Sequence, residues 1–159
     1  MQIIPNIFKL MGVTTEELKK AFIEFLKKKN LKITNTRLGL LDLIANYNKH
    51  FEIEELVNWI SSQTDRRVSR STIYRTIKLL EEFGAIKEVI KKDNKTIYEF
   101  VVGRPHHDHL ICIQCGRIIE FVSDDIEKLQ NEVCEAYSFK PIHHRLEIFG
   151  ICKSCQEKD

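Results

Sequence analysis

The spacing of apolar side chains predicts four helices in the first hundred residues. Leu18, Phe22 and Leu26 recur every four residues, so they share one face of a helix between Thr14 and Lys29. Three further segments repeat apolar residues at helical spacing and carry capping signals. The second predicted helix starts after Thr34, and the third runs from about Ile53 to Ser61. The fourth extends from Ser69 or Ser71 to Gly84.

The fourth predicted helix has two chemically different faces. Ile73, Ile77 and Leu80 form a core stripe, and the cationic and hydroxyl side chains point away from it. Arginine suits base edges in the major groove, and cations and hydroxyls suit phosphates. An ordinary solvated face is the alternative for this helix taken alone. The outward-facing side chains are Arg70, Tyr74, Arg75 and Lys78.

A pattern of alternating residues follows this helix. Residues 86–90 and 96–100 alternate around a basic turn at 91–95, which predicts a β-hairpin. Three helices followed by a hairpin are typical of a winged helix, with the fourth helix in the recognition position. We therefore predict a DNA-binding domain over residues 1–100, in which residues 1–13 form an N-terminal extension.

The remaining residues predict a second, smaller domain. Gly103 and Pro105 indicate a hinge at 101–105. Residues 106–159 then predict three strands and one helix, with an apolar stripe on the helix. The strands are predicted at 109–113, 117–122 and 144–150, and Ser123 is predicted to cap the helix that follows it. The predicted fold class is α+β, a winged helix followed by a small α/β dimerisation domain.

Charge separates the two halves. Residues 1–100 contain 18 Lys and Arg against 13 Asp and Glu, whereas residues 101–159 contain 7 against 10. A basic first half favours nucleic acid as a partner. No run of about 18 apolar residues occurs, so we expect no membrane span.

Two CxxC pairs form the strongest chemical signal. Cys112 and Cys115 are separated by 36 residues from Cys152 and Cys155, and Gly116 suits the turn after the first pair. Four thiolates match the tetrahedral preference of Zn²⁺, so we predict a structural zinc site. Two disulfides or four ordinary thiols are the alternatives. CxxC pairs within an odd number of cysteines fit a reducing cytoplasm, where we expect the protein to act.

The histidines beside the first pair predict further metal sites. If this run is extended, His106 and Asp108 face one way, and His107 and His109 face the other. One short segment can therefore serve two sites, each completed by ligands from elsewhere. Imidazole with carboxylate suits Fe, Mn, Zn, Ni or Co and leaves the metal open.

Together these motifs resemble the ferric uptake regulator family of bacterial metal-dependent repressors. The resemblance is carried by HHDHLICIQCG (106–116), IIEF (118–121), STIYRTIKLLEEFG (71–84), LKITNTR (31–37) and GICKSC (150–155). It implies a homodimer that binds double-stranded DNA at an AT-rich palindromic operator, and the sequence leaves open whether dimers pair into a tetramer. It also implies a role in transcription and no enzymatic activity.

The resemblance implies three metal sites. The structural zinc falls on the four cysteines already named. A regulatory metal between the domains falls on His50, Glu99, His107, His109 and Glu120. An additional metal site falls on His106, Asp108, Glu127 and His144. The implied DNA-binding residues are Lys32, Arg37, Arg70, Tyr74, Arg75 and Lys78.

Differences from the family pattern refine the expected signal. Arg75 and Glu120 favour Fe²⁺ sensing over peroxide sensing. A peroxide-, zinc- or manganese-sensing member of the same family is the alternative, with Mn²⁺ or Zn²⁺ as the other regulatory ions. Pro105 stands where many relatives have another histidine, and one extra residue separates Glu99 from the histidine run. Two alternatives lie outside the repressor class. One is a zinc hydrolase, although HExxH is absent, and the other is a metal-storage protein.

Overall fold

A computed structural model describes residues 13–63, 68–92 and 95–158. The chain divides into two compact units, residues 1–104 and 105–159, called here the N-terminal and C-terminal units. Most of the predicted extension 1–13 and the tip of the hairpin, 93–94, lie outside the described residues.

Four helices begin the N-terminal unit, and their caps explain where they start. Thr14 caps the first helix in a reciprocal capping box with Glu17, and Thr34 and Ser69 accept backbone N–H bonds at the second and fourth. Gly84 ends the fourth with φ at 86°, a conformation that favours glycine. The helices are α1 (Thr15–Lys28), α2 (Asn35–Ala45), α3 (Ile53–Gln63) and α4 (Arg70–Phe83).

A two-stranded antiparallel sheet completes this unit. Strands β1 (Ile86–Lys92) and β2 (Lys95–Phe100) pair from Ile86 opposite Phe100 to Lys92 opposite Lys95. The helices and the sheet enclose one continuous core, in which Phe22, Leu56 and Ile77 are buried. The order of three helices and a hairpin after α1 confirms the predicted winged helix.

The C-terminal unit consists of a three-stranded sheet and two helices. Strand β3 is central; it pairs antiparallel with β4 and parallel with β5. No residue of α5 is buried. The elements are β3 (Asp108–Cys112), β4 (Ile118–Phe121), α5 (Asp124–Ala136), β5 (Glu147–Gly150) and α6 (Lys153–Gln156).

Three local features differ from the expectation. The second CxxC pair lies on a short helix, α6, where the sequence predicted one helix in this unit. The last strand begins at Glu147 rather than at 144, and Glu147 pairs with His109, the second residue of β3. Ser123 occupies the N-cap position of α5, but its side chain makes no capping hydrogen bond. Among the described residues, no helix is long and apolar enough to cross a membrane.

Candidate metal centres and nucleic-acid interface

The four cysteines of the two CxxC pairs lie together in the C-terminal unit. Parallel pairing of Cys112 with Gly150 brings the end of β3 beside the chain that leads to Cys152. The Sγ atoms of Cys112 and Cys155 are 3.9 Å apart, and those of Cys115 and Cys152 are 3.7 Å apart. Sulfurs at about 2.3 Å from a tetrahedral zinc ion are separated by about 3.8 Å. The cluster therefore fits the predicted four-cysteine site.

The thiols of this cluster have unequal proton affinities. Backbone N–H groups of Cys115 and Cys152 donate to the Cys112 sulfur and lower its pKa to about 6. Hydrogen bonds with the sulfurs of Cys152 and Cys115 raise the pKa of Cys155. All five cysteines are free thiols, which argues against the disulfide alternative. One sulfur is thus prepared as a thiolate, the form that binds metal.

A second cluster combines two imidazoles and two carboxylates. The His106 Nε2 atom lies 3.0 Å from His144 Nε2, 3.0 Å from Glu127 Oε1 and 3.4 Å from Asp108 Oδ1. His144 Nε2 lies 3.2 Å and 3.7 Å from the same two carboxylate oxygens. Ligands at about 2.0–2.1 Å from a tetrahedral ion are separated by about 3.3–3.4 Å.

One atom of this cluster has an unmet bonding requirement. Glu127 Oε1 is buried, and within the described residues it accepts no hydrogen bond. Its polar neighbours are the ring nitrogens His106 Nε2, at 3.0 Å, and His144 Nε2, at 3.2 Å, and neither forms a hydrogen bond with it. A buried carboxylate oxygen that accepts no hydrogen bond is unfavourable, and a cation at the centre of the cluster would satisfy it. The donor set and its spacing therefore fit a divalent metal ion.

The N-terminal unit contains a smaller pair of candidate ligands. An isolated β-bridge pairs Phe51 with Tyr98. It brings His50, which precedes Phe51, close to Glu99, which follows Tyr98. The His50 Nε2 and Glu99 Oε2 atoms are consequently 3.7 Å apart. The Arg104 guanidinium also approaches Glu99 Oε2, at 3.4 Å, which the sequence did not suggest because Arg104 lies in the predicted hinge.

The C-terminal unit contains three further candidate ligands outside its two clusters. His109 on β3 lies opposite Glu120 on β4, and His107 Nε2 lies 3.9 Å from Glu120 Oε1. The rings of His107 and His109 meet edge to face, with centroids 5.0 Å apart. His107 Nδ1 lies 3.0 Å from the Pro105 carbonyl oxygen. A hydrogen bond donated by Nδ1 would orient the ring and leave Nε2 as a ligand atom.

Helix α4 separates core from surface in the predicted way. Ile73, Ile77 and Leu80 are buried, whereas Arg70, Arg75 and Lys78 are exposed. Within the described residues, the Arg75 side chain takes part in no hydrogen bond or ion pair. It is therefore able to reach a ligand.

Four other predicted DNA-binding side chains have partners within the N-terminal unit: Arg37, Arg70, Tyr74 and Lys78. Lys78 Nζ lies 3.0 Å from Glu81 Oε2. Arg37 donates to the carbonyl of Lys32, which ties these two residues together at the start of α2. Arg70 and Tyr74 both donate to Glu54 on α3, a residue the sequence reasoning missed. Arg70 and Tyr74 lie four residues apart, and that spacing could have prompted a search for a shared acceptor.

A winged helix with an exposed basic helix, joined to a unit rich in cysteine and histidine, defines the class of metal-responsive DNA-binding regulators. Comparison with known proteins agrees. The model of the ferric uptake regulator family matches residues 28–149, and the chain belongs to that family. Members are transcription regulators that bind DNA and form dimers.

Individual relatives support the same assignment. The chain is 36% identical over 148 residues to the ferric uptake regulation protein of Helicobacter pylori strain J99, covering 92% of this chain and 96% of the relative. The solved Helicobacter pylori regulator, described as having three functional metal binding sites, matches with a TM-score of 0.75 and 33% identity. That match covers 92% of this chain and 97% of the other.

A solved zinc-bound manganese uptake regulator is also similar. It matches with a TM-score of 0.56 and 33% identity, over 83% of this chain and 98% of the other. The fold is thus shared by regulators named for different metals.

Proposed function

We propose that this protein is an Fe²⁺-dependent repressor of metal-uptake genes. It acts in the cytoplasm as a homodimer and catalyses no reaction. The observation that carries the proposal is the exposed cationic face of α4 in a chain that also holds several groups of metal-ligating side chains. DNA binding and metal binding are then two properties of one regulator.

The ligand groups have different proposed roles. The four cysteines hold a structural zinc ion, and their thiolates together supply the negative charge that a tetrahedral Zn²⁺ requires. His106, Asp108, Glu127 and His144 hold an additional ion within the C-terminal unit. His50 and Glu99, together with His107, His109 and Glu120, hold the regulatory metal.

The regulatory ligands come from both units, which is why they can control DNA binding. His50 and Glu99 belong to residues 1–104, and the other three belong to residues 105–159. Ligands shared in this way would restrict the hinge at 101–105. A dimer must present two recognition helices about 34–36 Å apart. Metal that binds the restricted state more tightly raises the population with that spacing.

The DNA-contacting residues divide into two kinds. Arg75 is exposed and unrestrained within the described residues, so we assign it to base edges in the major groove. Tyr74 faces bases or phosphates. Phosphate contacts, which set register and affinity, fall to cationic side chains. These are Lys32, Arg37, Arg70 and Lys78. A palindromic, AT-rich operator matches the two-fold symmetry of a homodimer.

Iron is favoured over other metals by the names of the relatives. The Helicobacter pylori relatives are ferric uptake regulators. Manganese is the second candidate, because a similar structure is a manganese uptake regulator with zinc bound. Imidazole and carboxylate ligands accept either ion.

The test is an anaerobic titration of Fe²⁺, Mn²⁺ or Zn²⁺ into the zinc-retaining protein, with an AT-rich palindromic duplex at fixed salt. We expect Fe²⁺ to tighten binding at the lowest concentration. In H107A the metal dependence should disappear while the dimer persists. If only Mn²⁺ or Zn²⁺ tightens DNA binding, that ion and not Fe²⁺ is the metal that the protein senses. Metal-independent binding by the unaltered protein would reject the proposed regulation.

A further inference from the structure

One carboxylate on α3 holds two side chains of the recognition helix. Glu54 Oε2 accepts a hydrogen bond from Arg70 Nη2, and Glu54 Oε1 accepts one from Tyr74 Oη. Asn58, one turn further along α3, accepts a second bond from Arg70, with Nη1 at 2.9 Å from Oδ1. Both outward-facing side chains are thus held by the neighbouring helix.

This network occupies donors that DNA would need. A guanidinium binds carboxylate and phosphate oxygens with the same donors and similar geometry. A bidentate phosphate contact through Nη1 and Nη2 requires Arg70 to leave Glu54 and Asn58, and the carboxylate then remains beside the DNA backbone. Arg75 follows Tyr74 along α4, and its side chain makes no hydrogen bond or ion pair within the described residues. Between the two arginines, the cost of leaving Glu54 therefore falls on the phosphate contact of Arg70 rather than on the base contact of Arg75.

We propose that Glu54 is a specificity-determining positioning residue that competes internally with phosphate. It lowers affinity for arbitrary duplexes more than affinity for the operator. Non-specific binding depends almost entirely on phosphate contacts, so it bears the full effect of the competing carboxylate. Operator binding also gains from a Tyr74 ring already held in place. This inference rests on the proposed role of α4 in binding DNA.

The first experiment compares E54Q with the matched control E55Q. Glu55 is the next residue in the first turn of α3, but it accepts a hydrogen bond from Tyr47 in place of α4 side chains. Both variants lose one negative charge near the same helix terminus. Affinities are measured for a palindromic duplex of the family type and for a scrambled duplex of equal composition, with the dimer saturated with Mn²⁺.

We expect E54Q to bind the scrambled duplex about fivefold more tightly, the scale of one unit-charge interaction at 4 Å in water. Its gain on the palindrome should be smaller, so the ratio of the two affinities should fall. E55Q should keep the ratio of the unaltered protein. An unchanged ratio in E54Q, or an equal fall in E55Q, would overturn the proposal.

Salt dependence tests the route through Arg70. Arg70 released from Glu54 can neutralise one more phosphate, which should steepen the slope of log affinity against log salt by about 0.9. In the double variant E54Q/R70Q both the steeper slope and the gain on scrambled DNA should vanish. A gain that survives the loss of Arg70 would contradict the proposed competition.

Two further variants keep these outcomes interpretable. R75A tests the DNA-binding role of α4 itself: unchanged operator affinity would reject that role whatever E54Q does. Circular dichroism and zinc content establish that E54Q is folded. If E54Q does not fold, N58A removes one of the two side-chain acceptors of Arg70 without changing charge, while Glu54 keeps the other. This weaker hold should raise affinity for the scrambled duplex by a smaller factor. No increase in N58A would then refute the proposal.

Discussion

The two units of this chain solve the problem of stability differently. In the N-terminal unit α1 to α4 close around a continuous core, and Phe22, Leu26 and Leu56 are fully buried. In the C-terminal unit the apolar stripe of α5 faces solvent in the single chain. Its residues Leu129 and Val133 are 60% and 59% exposed. The N-terminal unit buries its hydrophobic side chains in its own core, whereas the C-terminal unit leaves the apolar stripe of α5 exposed.

This difference follows from size and chemistry. A unit of residues 105–159 is near the limit at which a hydrophobic core suffices, and such units usually need a metal ion or a partner chain. The four-cysteine cluster fits the first requirement. The exposed stripe on α5 fits the second in a family whose members form dimers. We therefore expect the two units to respond differently to the same perturbation.

The largest effect should follow loss of the zinc ligands. Apparent free energies for structural zinc are about 10–16 kcal/mol, so C112S should disrupt the C-terminal unit and the dimer. The helices of the N-terminal unit should persist. Light scattering, metal analysis and residue-resolved NMR of the full chain would measure these changes.

C134S is the matched control for this prediction, because Cys134 lies on α5 and outside the cluster. It should retain zinc and remain dimeric. A stable, zinc-free dimer of C112S would show that the C-terminal unit needs no metal.

The same substitution at two leucines should give different kinds of destabilisation. L26A removes a fully buried side chain and should lower the free energy of unfolding by about 2–5 kcal/mol at any protein concentration. L129A should instead raise the dimer dissociation constant about tenfold, because two symmetric copies are affected. Urea unfolding at two protein concentrations distinguishes the two variants. If the stability of L26A and L129A depended equally on protein concentration, the two units would not differ in the expected way.

Two adjacent histidines should separate metal binding from folding. H144A should lose the additional ion and with it the stabilisation that metal provides, about 2.7 kcal/mol at a hundredfold excess over the dissociation constant. H143A should retain both, since His143 is not part of the cluster. Metal counting and thermal unfolding with and without Mn²⁺ provide the measurement, and equal losses in both variants would dismiss the site.

The smallest expected difference concerns helix caps. T14A removes a capping box from α1 and should cost about 1 kcal/mol. S123A removes a side chain that makes no capping hydrogen bond at α5, so its effect should stay within about 0.5 kcal/mol. Chemical denaturation of the zinc-bound protein would compare them. A larger effect for S123A would mean that the serine has another role.

The winged helix was predictable because its signals are local. Thr14, Thr34 and Ser69 mark helix starts, Gly84 marks an end, and the apolar period is strong on α1 and α4. The last strand was less predictable, since it forms by pairing with β3, a segment far away along the chain. The exposure of the α5 stripe was equally hidden, because a periodic apolar face does not say what covers it.

Among the candidate sites, the cysteine quartet was the most accessible from sequence, because CxxC spacing carries its own geometry. The sequence by itself therefore determined the helices and hairpin of the winged helix, the family and the types of ligand available. Only the tertiary structure decided which side chains meet. The Glu54 network and the bonding of Glu127 Oε1 depend on contacts between elements far apart along the chain. Local spacing cannot specify such contacts, since they depend on how packed helices and strands orient their side chains.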